Sequence, residues 1–372
     1  MKTRGAILRQ APGKFEVVDL QVDDPRQNEL RVKMVASGLC HSDDHMSTGD
    51  LPVAVYPVCG GHEGAGVVES IGPNTPGWEV GDKVIFSFLP ACGKCRWCST
   101  GHQNLCDLGA NVLVGSRWDD PTSFRMQLDD GTPVGQALGI STFAEHTTVA
   151  VDSAIKVPAD VPLERACLLG CAVGTGWGSA VNTGGVQAGD TVLVLGVGGI
   201  GANAVQGAKH AGAARIIVVD PIAFKRDTAL SLGATHAVET VEEATQIAQS
   251  FTNGQGADVA IVTVGVVTGE HVAQAFAGIR KQGTVVVTAL GNVTDVGIPV
   301  PLLELILFEK KIKGSLFGSS NPRADIPKLL DLYTAGYLKL DELITTEYAL
   351  DDINQGYEDM HSGRNIRGVI RF

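Results

Sequence analysis

No run of about 18 apolar residues occurs anywhere in the 372-residue sequence, so no segment reads as a membrane span. The first ten residues, Met-Lys-Thr-Arg-Gly-Ala-Ile-Leu-Arg-Gln, carry charge without a sustained apolar stretch. They do not read as a secretory signal, and the cytoplasm is the expected location. Excess positive charge is absent as well: 29 Lys and Arg stand against 41 Asp and Glu, for a net charge of −12. An acidic surface repels polyanions, which argues against nucleic acid and against an anionic membrane surface as partners. There is no internal repeat, low-complexity tract or coiled-coil pattern. Aromatic residues are scarce, at 5%, while glycine is abundant, with 46 residues. A glycine- and valine-rich, aromatic-poor chain suits tight turns between parallel strands and helices. The hydrophobic fraction, 44%, is enough to build real cores, and the length suggests two domains or one large one.

Residues 1 to about 165 look β-rich. Short alternating segments such as 30–35 are separated by glycine and proline turns, and 60–68 reads as a glycine-rich turn entering a strand. Residues 110–140 lack clear periodicity and are expected to form a long surface loop. Near residue 170 the texture changes. Apolar strand-like runs at 191–196, 215–220, 257–264 and 283–289 alternate with helical stretches, the mark of a doubly wound parallel sheet. The last fifty or so residues hold a helical stretch, 325–336, and a final strand, 366–372, expected to fold back onto the first domain.

The run 191–195 enters Gly196-Val197-Gly198-Gly199-Ile200-Gly201, followed by a helix-compatible stretch and a second strand ending at Asp220. A lone Gly-x-Gly-x-x-Gly is weak evidence, but between strand and helix, with an acid about twenty residues on, it is a dinucleotide fingerprint. Gly196 permits the sharp turn, Gly198 the close approach of backbone to pyrophosphate, and Gly201 close packing of helix on strand; Gly199 lies within the same loop. The helix N-terminus offers N–H groups to the phosphates. Asp220 would accept hydrogen bonds from the adenosine ribose and repel a 2′-phosphate, favouring NAD over NADP.

Cys92, Cys95, Cys98 and Cys106 fall at C-x2-C-x2-C-x7-C. Four thiolates so close in sequence can close a tetrahedron around Zn²⁺ at little loop-closure cost. With four protein ligands there is no open position, so such a zinc is structural. An iron–sulfur cluster, or four unmetallated thiols, are the alternatives. Three further segments supply lone candidates: Cys40 to His45, His62-Glu63 and Cys171. Each alone reads equally as a buried apolar cysteine or a structural histidine, and spacing cannot show that they meet.

Taken together these motifs resemble the medium-chain, zinc-dependent alcohol dehydrogenases over nearly the whole chain. The matching residues are Cys-His-Ser-Asp-Asp-His at 40–45, Gly-His-Glu at 61–63, the four-cysteine loop, 170–180, the glycine fingerprint and Asn-Ile-Arg at 365–367. The resemblance implies an α/β protein: a β-rich GroES-like catalytic domain over 1–172 and 317–372, plus a Rossmann doubly wound parallel-sheet NAD-binding domain over 173–316. It implies two zinc ions per chain, NAD, a small alcohol or aldehyde substrate, and a homo-oligomer, dimer or tetramer. Cys40, His62 and Cys171 match the catalytic zinc ligands, where zinc lowers the pKa of the alcohol before hydride passes to the nicotinamide. Asp43 matches the carboxylate that holds a ligand histidine's tautomer. Glu63 matches an acid near the metal, and Ser42 and His45 match the proton relay. Thr175 falls on a position packing against the nicotinamide, Phe88 on a substrate-pocket wall, and Arg367 on an arginine contacting the pyrophosphate. His41 departs from the arginine many relatives carry at a pyrophosphate contact; imidazole is only partly charged near neutral pH. Lys225 and Arg226 are placed either on the adenosine side or on a solvated helix face.

Segments 221–227 and 314–329 resemble an actinobacterial subgroup of nicotinoproteins. In these NAD stays bound and a second acceptor, for which mycofactocin is the candidate, reoxidises it. The rival enzyme reading is a thiol-dependent formaldehyde dehydrogenase of the same family, with Arg117 as its candidate cation, though Arg117 reads more simply as a surface arginine. The non-enzyme reading is a zinc- and NAD-binding structural or regulatory protein. The leucine-rich segment 300–318 reads either as an oligomer interface or as ordinary core.

Overall fold

The computed structural model describes residues 1–372, which fold into two units. The first comprises Met1–Cys171, Asn321–Tyr333 and Leu340–Phe372; the second comprises Ala172–Ser320 and Thr334–Lys339. The expected division placed 172, 317–320 and 334–339 with the first unit. These residues instead pack in the second, where Gln206 both accepts from the Lys339 N–H and donates to the Lys339 carbonyl. No helix is long and apolar enough to cross a membrane.

The first unit contains a closed barrel and a seven-stranded sheet. The strand Glu29–Gly38 shows why the sheet forms here. Leu30, Val32, Met34 and Ala36 alternate inward, while Arg31, Lys33 and Val35 point outward, the period of a half-buried strand. From Ala36 to Gly38 every position is buried. Gly38 pairs with Glu63 of the strand Glu63–Ile71 and with Val369 of the strand Arg367–Arg371. A side chain at Gly38 would collide with the Glu63 carboxylate and crowd the Arg367 guanidinium, so glycine lets three strand ends converge.

Residues 110–140 are not a free surface loop. They contribute the short strands Met126–Gln127 and Pro133–Gln136 to the barrel. Arg117, read from sequence as a surface side chain or a cation for substrate, is fully buried. Its guanidinium meets Glu29 at 3.1 Å and Asp23 at 3.3 Å, and donates to Ser123 Oγ and the Phe124 carbonyl at 2.8 Å. Arg125 joins the same Glu29 oxygen at 2.7 Å and Gln136 at 3.0 Å. Periodicity was invisible because these buried arginines, rather than an apolar stripe, hold the segment down.

The second unit is a six-stranded parallel sheet in the order His236–Val238, Arg215–Val219, Thr191–Leu195, Ala257–Val262, Ile279–Val287, Lys311–Gly314. Thr191–Leu195 is buried throughout, as a central strand covered by helices on both faces must be. Leu193, Ile217, Ala260, Phe276 and Val285 form the core beneath it. The strand order reverses beside Thr191–Leu195, and ligands of such sheets bind at that switch point. In the leucine-rich segment, the helix Leu302–Leu307 turns Leu302, Leu303, Ile306 and Leu307 outward, each 65–69% exposed, so these residues are not core.

Glu29 carries two buried arginines, and its pKa follows from that setting. Burial works to raise it, but the Arg125 and Arg117 charges and the Arg26 N–H hold it below its ordinary 4.5. The folded state therefore binds this proton more weakly than the unfolded chain, and the stabilisation is complete above pH 4.5 and lost as the pH falls through the lower folded value. Glu29→Gln should leave Arg125 without its carboxylate and Arg117 with Asp23 alone, and destabilise the first unit by about 3–5 kcal/mol. Urea unfolding should show this loss at neutral pH, together with a flatter acid limb of stability against pH.

Candidate active site

Cys40 ends the turn after the strand Glu29–Gly38, and His62 and Glu63 open the neighbouring strand. Cys171 follows the tight turn Cys167–Gly170, where glycine is needed because a side chain at Gly170 would meet the Phe86 carbonyl. Elements far apart in sequence thus deliver Cys40, His62, Glu63 and Cys171 to one place. Their ligand atoms all lie within 4.8 Å of one another, and all four residues are buried.

The electrostatics favour a cation. Cys171 hydrogen-bonds to the Cys40 sulfur, and with the His62 and Arg367 charges this holds Cys40 well below its ordinary range despite burial. The same shared bond, with burial, pushes Cys171 well up. Burial opposes a charge on His62, yet the Asp43 carboxylate and Cys40 overcome it and raise the imidazole. His62 Nδ1 lies 2.8 Å from Asp43 Oδ2, and Asp43 Oδ1 accepts the Gly61 N–H at 2.8 Å. His62 Nε2, like Nδ1 and Asp43 Oδ2, is buried without a regular hydrogen bond, and Nε2 has no charged partner of its own beyond the cysteine pair. An orphaned ring nitrogen beside two cysteine sulfurs that must share a proton fits a zinc ion, with Glu63 at its margin. Glu63 is itself ion-paired to the buried Arg367. Against the effect of burial, this carboxylate raises the guanidinium above its already high range.

Around this cluster, Ser42 Oγ lies 3.8 Å from Cys40 Sγ, and His45 Nδ1 lies 3.4 Å from Asp50 Oδ2. The Phe88 ring stands edge-on to His62 at 5.7 Å. His41, half-buried, opens the helix His41–Thr48 with its ring 6.4 Å from that of His45.

Cys92, Cys95, Cys98 and Cys106 form a second group whose sulfurs lie within 4.8 Å of one another. Backbone N–H groups point at the sulfurs: those of Cys92, Cys95 and Cys98 donate to Cys106, Cys92 and Cys95 at 3.4–3.5 Å. The N–H groups of Cys98 and Asp107 draw Cys95 down to about 6, whereas burial pushes Cys106 up to about 12. Four convergent sulfurs held by backbone amides fit a closed tetrahedral metal site.

In the second unit Gly196 has φ +93°, a value that favours glycine, and the helix Gly199–His210 begins directly after Gly198. A side chain at Gly201 would strike the Gly196 carbonyl, while one at Gly198 would face open space, the side from which a phosphate can approach. Asp220 is buried and its carboxylate is already engaged: Oδ2 accepts the Val197 N–H at 2.8 Å and Oδ1 the Ile222 N–H at 2.9 Å. Arg226 is neither a solvated side chain nor a free cation, for it binds the Asp220 carbonyl and Glu239. Lys225 is half-buried beside it, and Thr175 is buried in the helix Ala172–Gly178. Sequence reasoning passed over Thr263, whose hydroxyl reaches the Gly196 carbonyl at 2.6 Å. Nothing in the chain announces a contact between residues so far apart.

Comparison with known proteins agrees with this geometry. Residues 26–159 match the alcohol dehydrogenase GroES-like domain, and residues 199–335 match the zinc-binding dehydrogenase domain. The NDMA-dependent alcohol dehydrogenase of Amycolatopsis methanolica is 51% identical over 370 residues, covering 100% of this chain and 99% of its own. Alcohol dehydrogenase B of Mycobacterium tuberculosis is 45% identical over 372 residues, with the same coverage, 100% and 99%. Two solved structures superpose over 100% of this chain and 99% of theirs. An alcohol dehydrogenase zinc-binding domain protein of Burkholderia ambifaria does so with a TM-score of 0.93 at 32% identity. Benzyl alcohol dehydrogenase of Acinetobacter calcoaceticus does so with a TM-score of 0.91 at 29% identity.

Asp43 supplies a test of the metal site that does not depend on turnover. Asp43→Asn keeps the shape but presents a weaker acceptor to His62 Nδ1, and metal affinity should fall by about 10- to 100-fold. Competition with a chelator measures it. Unchanged affinity would mean that the Asp43–His62 contact does not tune the ligand.

Proposed function

This chain belongs to the zinc-binding medium-chain alcohol dehydrogenase family, and on that premise we propose that it oxidises primary alcohols to aldehydes, and the reverse, with NAD as hydride acceptor. The observation that carries the reading is the buried Cys40, His62 and Cys171 cluster with its orphaned His62 nitrogen. Three protein ligands leave one position for an alcohol, and the zinc they hold supplies a Lewis acid that lowers the alcohol's pKa. A second zinc in the four-cysteine site makes two per chain. NAD supplies the hydride acceptor, and the glycine loop with Asp220 is the part of the chain that holds its adenosine diphosphate end, with Lys225 near the adenosine side.

The chain's own residues do the rest. Asp43 orients His62. Ser42, next to Cys40 and its sulfur, receives the alcohol proton, and His45, facing Asp50, carries a proton onward. Phe88 walls the substrate side of His62. The family resemblance assigns Thr175 to the nicotinamide, and His41 and Arg367 to the pyrophosphate. Glu63, held by Arg367, stands at the margin of the ligand set. The thiol-dependent formaldehyde reading loses its proposed cation, because Arg117 is spent inside the first unit. The non-enzyme reading has no support from the site, where the ligand set and the relay are both intact.

A relative named for NDMA dependence favours the version in which NAD stays bound and a second acceptor, such as mycofactocin, reoxidises it. The outward face of the helix Leu302–Leu307 borders the sheet-edge strand Lys311–Gly314 and is proposed as the homo-oligomer contact. Eight cysteines with no disulfide among them, six of them the proposed zinc ligands, suit a reducing cytoplasm.

Metal analysis should find two zinc ions per chain, falling to one in Cys171→Ser. Loss of several kcal/mol of charge stabilisation corresponds to a drop in turnover on the order of 10³-fold. Full turnover in Cys171→Ser would overturn the zinc assignment. Denaturing the gel-filtered protein and assaying released nucleotide should yield about one NAD(H) per chain if the cofactor is trapped; none would leave the exchangeable version. Ile306→Asp should shift the mass in solution toward a monomer, read by sedimentation, because a carboxylate on a buried apolar contact goes unpaired.

A further inference from the structure

The peptide joining Gly196 to Val197 is held at both ends. Its carbonyl, on Gly196, receives the Thr263 hydroxyl at 2.6 Å. Its N–H, on Val197, donates to Asp220 Oδ2 at 2.8 Å. The two partners come from opposite sides of the strand Thr191–Leu195. Thr263 directly follows the strand Ala257–Val262, and Asp220 directly follows the strand Arg215–Val219. The Thr263 hydroxyl has one proton and two carbonyls in reach, Gly196 at 2.6 Å and Leu195 at 3.0 Å; the shorter contact takes it. The Thr263 backbone is anchored separately, its N–H donating to the Leu195 carbonyl at 2.8 Å.

We propose that Thr263 is a positioning residue for the dinucleotide: with Asp220 it clamps the Gly196–Val197 peptide, so that the glycine loop is set before any nucleotide arrives. The inference rests on the reading of this loop as the cofactor's phosphate site. A peptide group is planar, so fixing its oxygen and its nitrogen fixes the orientation of the whole unit. The chain therefore leaves Val197 in one direction, and the N-terminal N–H groups of the helix Gly199–His210 face the open space in front of Gly198. A loop ordered in advance does not pay its ordering entropy on binding, which favours slow release. Asp220 thus has two tasks: its remaining lone pairs can still accept from a ribose, while Oδ2 holds the loop. Thr263 touches no reacting atom and acts through the loop alone.

The test uses the full-length protein loaded with NADH and chased with excess NAD, with release followed by nicotinamide fluorescence. Thr263→Val keeps the shape and removes the hydroxyl. Losing one buried hydrogen bond should speed release about three- to tenfold. Thr263→Ser keeps the hydroxyl and should release at nearly the wild-type rate. Amide exchange across residues 193–203 should be faster in Thr263→Val, with the rest of the second unit unchanged. Equal release and equal exchange in Thr263→Val and wild type would overturn the clamp. So would a loss in Thr263→Ser as large as in Thr263→Val, since methyl packing would then set the loop. If the wild type takes up no NADH and also yields no NAD(H) on denaturation, the cofactor reading fails instead, and the exchange measurement decides the clamp by itself.

Discussion

Asp43, fully buried, makes two contacts: Oδ1 accepts the Gly61 N–H, and Oδ2 lies 2.8 Å from His62 Nδ1. Much of the first unit is arranged to make this carboxylate hold. Burial by itself pushes Asp43 toward its neutral form, and the imidazole beside it works against that. In return Asp43 takes up His62 Nδ1 and turns the other ring nitrogen toward Cys40 and Cys171. Behind His62, the Gly60 and Gly61 carbonyls accept the Phe143 and Thr142 N–H groups, and Ser37 meets the Thr142 hydroxyl at 2.6 Å. The metal site is therefore a consequence of how three strand ends and one turn are tied together, and its ligands have little freedom to move.

Buried charge is used in two ways in this unit. Glu63 and Arg367 neutralise each other at the edge of the ligand set and keep a carboxylate there without leaving it exposed. Glu29, Arg117 and Arg125 do something different: they fasten residues 110–140 to the strand Glu29–Gly38 of the seven-stranded sheet. A hydrophobic stripe could have served the second purpose, and buried ion pairs seldom add net stability over apolar packing. Their geometric demands are stricter, however, and they specify one placement of the segment.

The second unit applies the same logic to its glycine loop. The loop has no polar side chain with which to hold itself, so its neighbours must do it. Asp220 and Thr263 reach in from the two flanking strands and take the two ends of one peptide. The peptide at the head of the glycine run is thus held by side chains that lie outside that run.

The linear sequence by itself determined the two-part organisation, the parallel-sheet unit, the glycine fingerprint and the four-cysteine loop. These are readable because their residues are neighbours: a period of two, a Gly-x-Gly-x-x-Gly turn and C-x2-C spacing are all local patterns. Cys40, His62 and Cys171 were legible only by resemblance, since each alone is an ordinary buried residue. Tertiary structure decided that their ligand atoms meet, because strand register, set over more than a hundred residues, carries each of them there. It also decided against the surface reading of Arg117, placed 334–339 with the second unit, and gave Thr263 a partner 67 residues away. A hydroxyl or a guanidinium can serve water or a buried carbonyl equally well, and only the packing around it determines which.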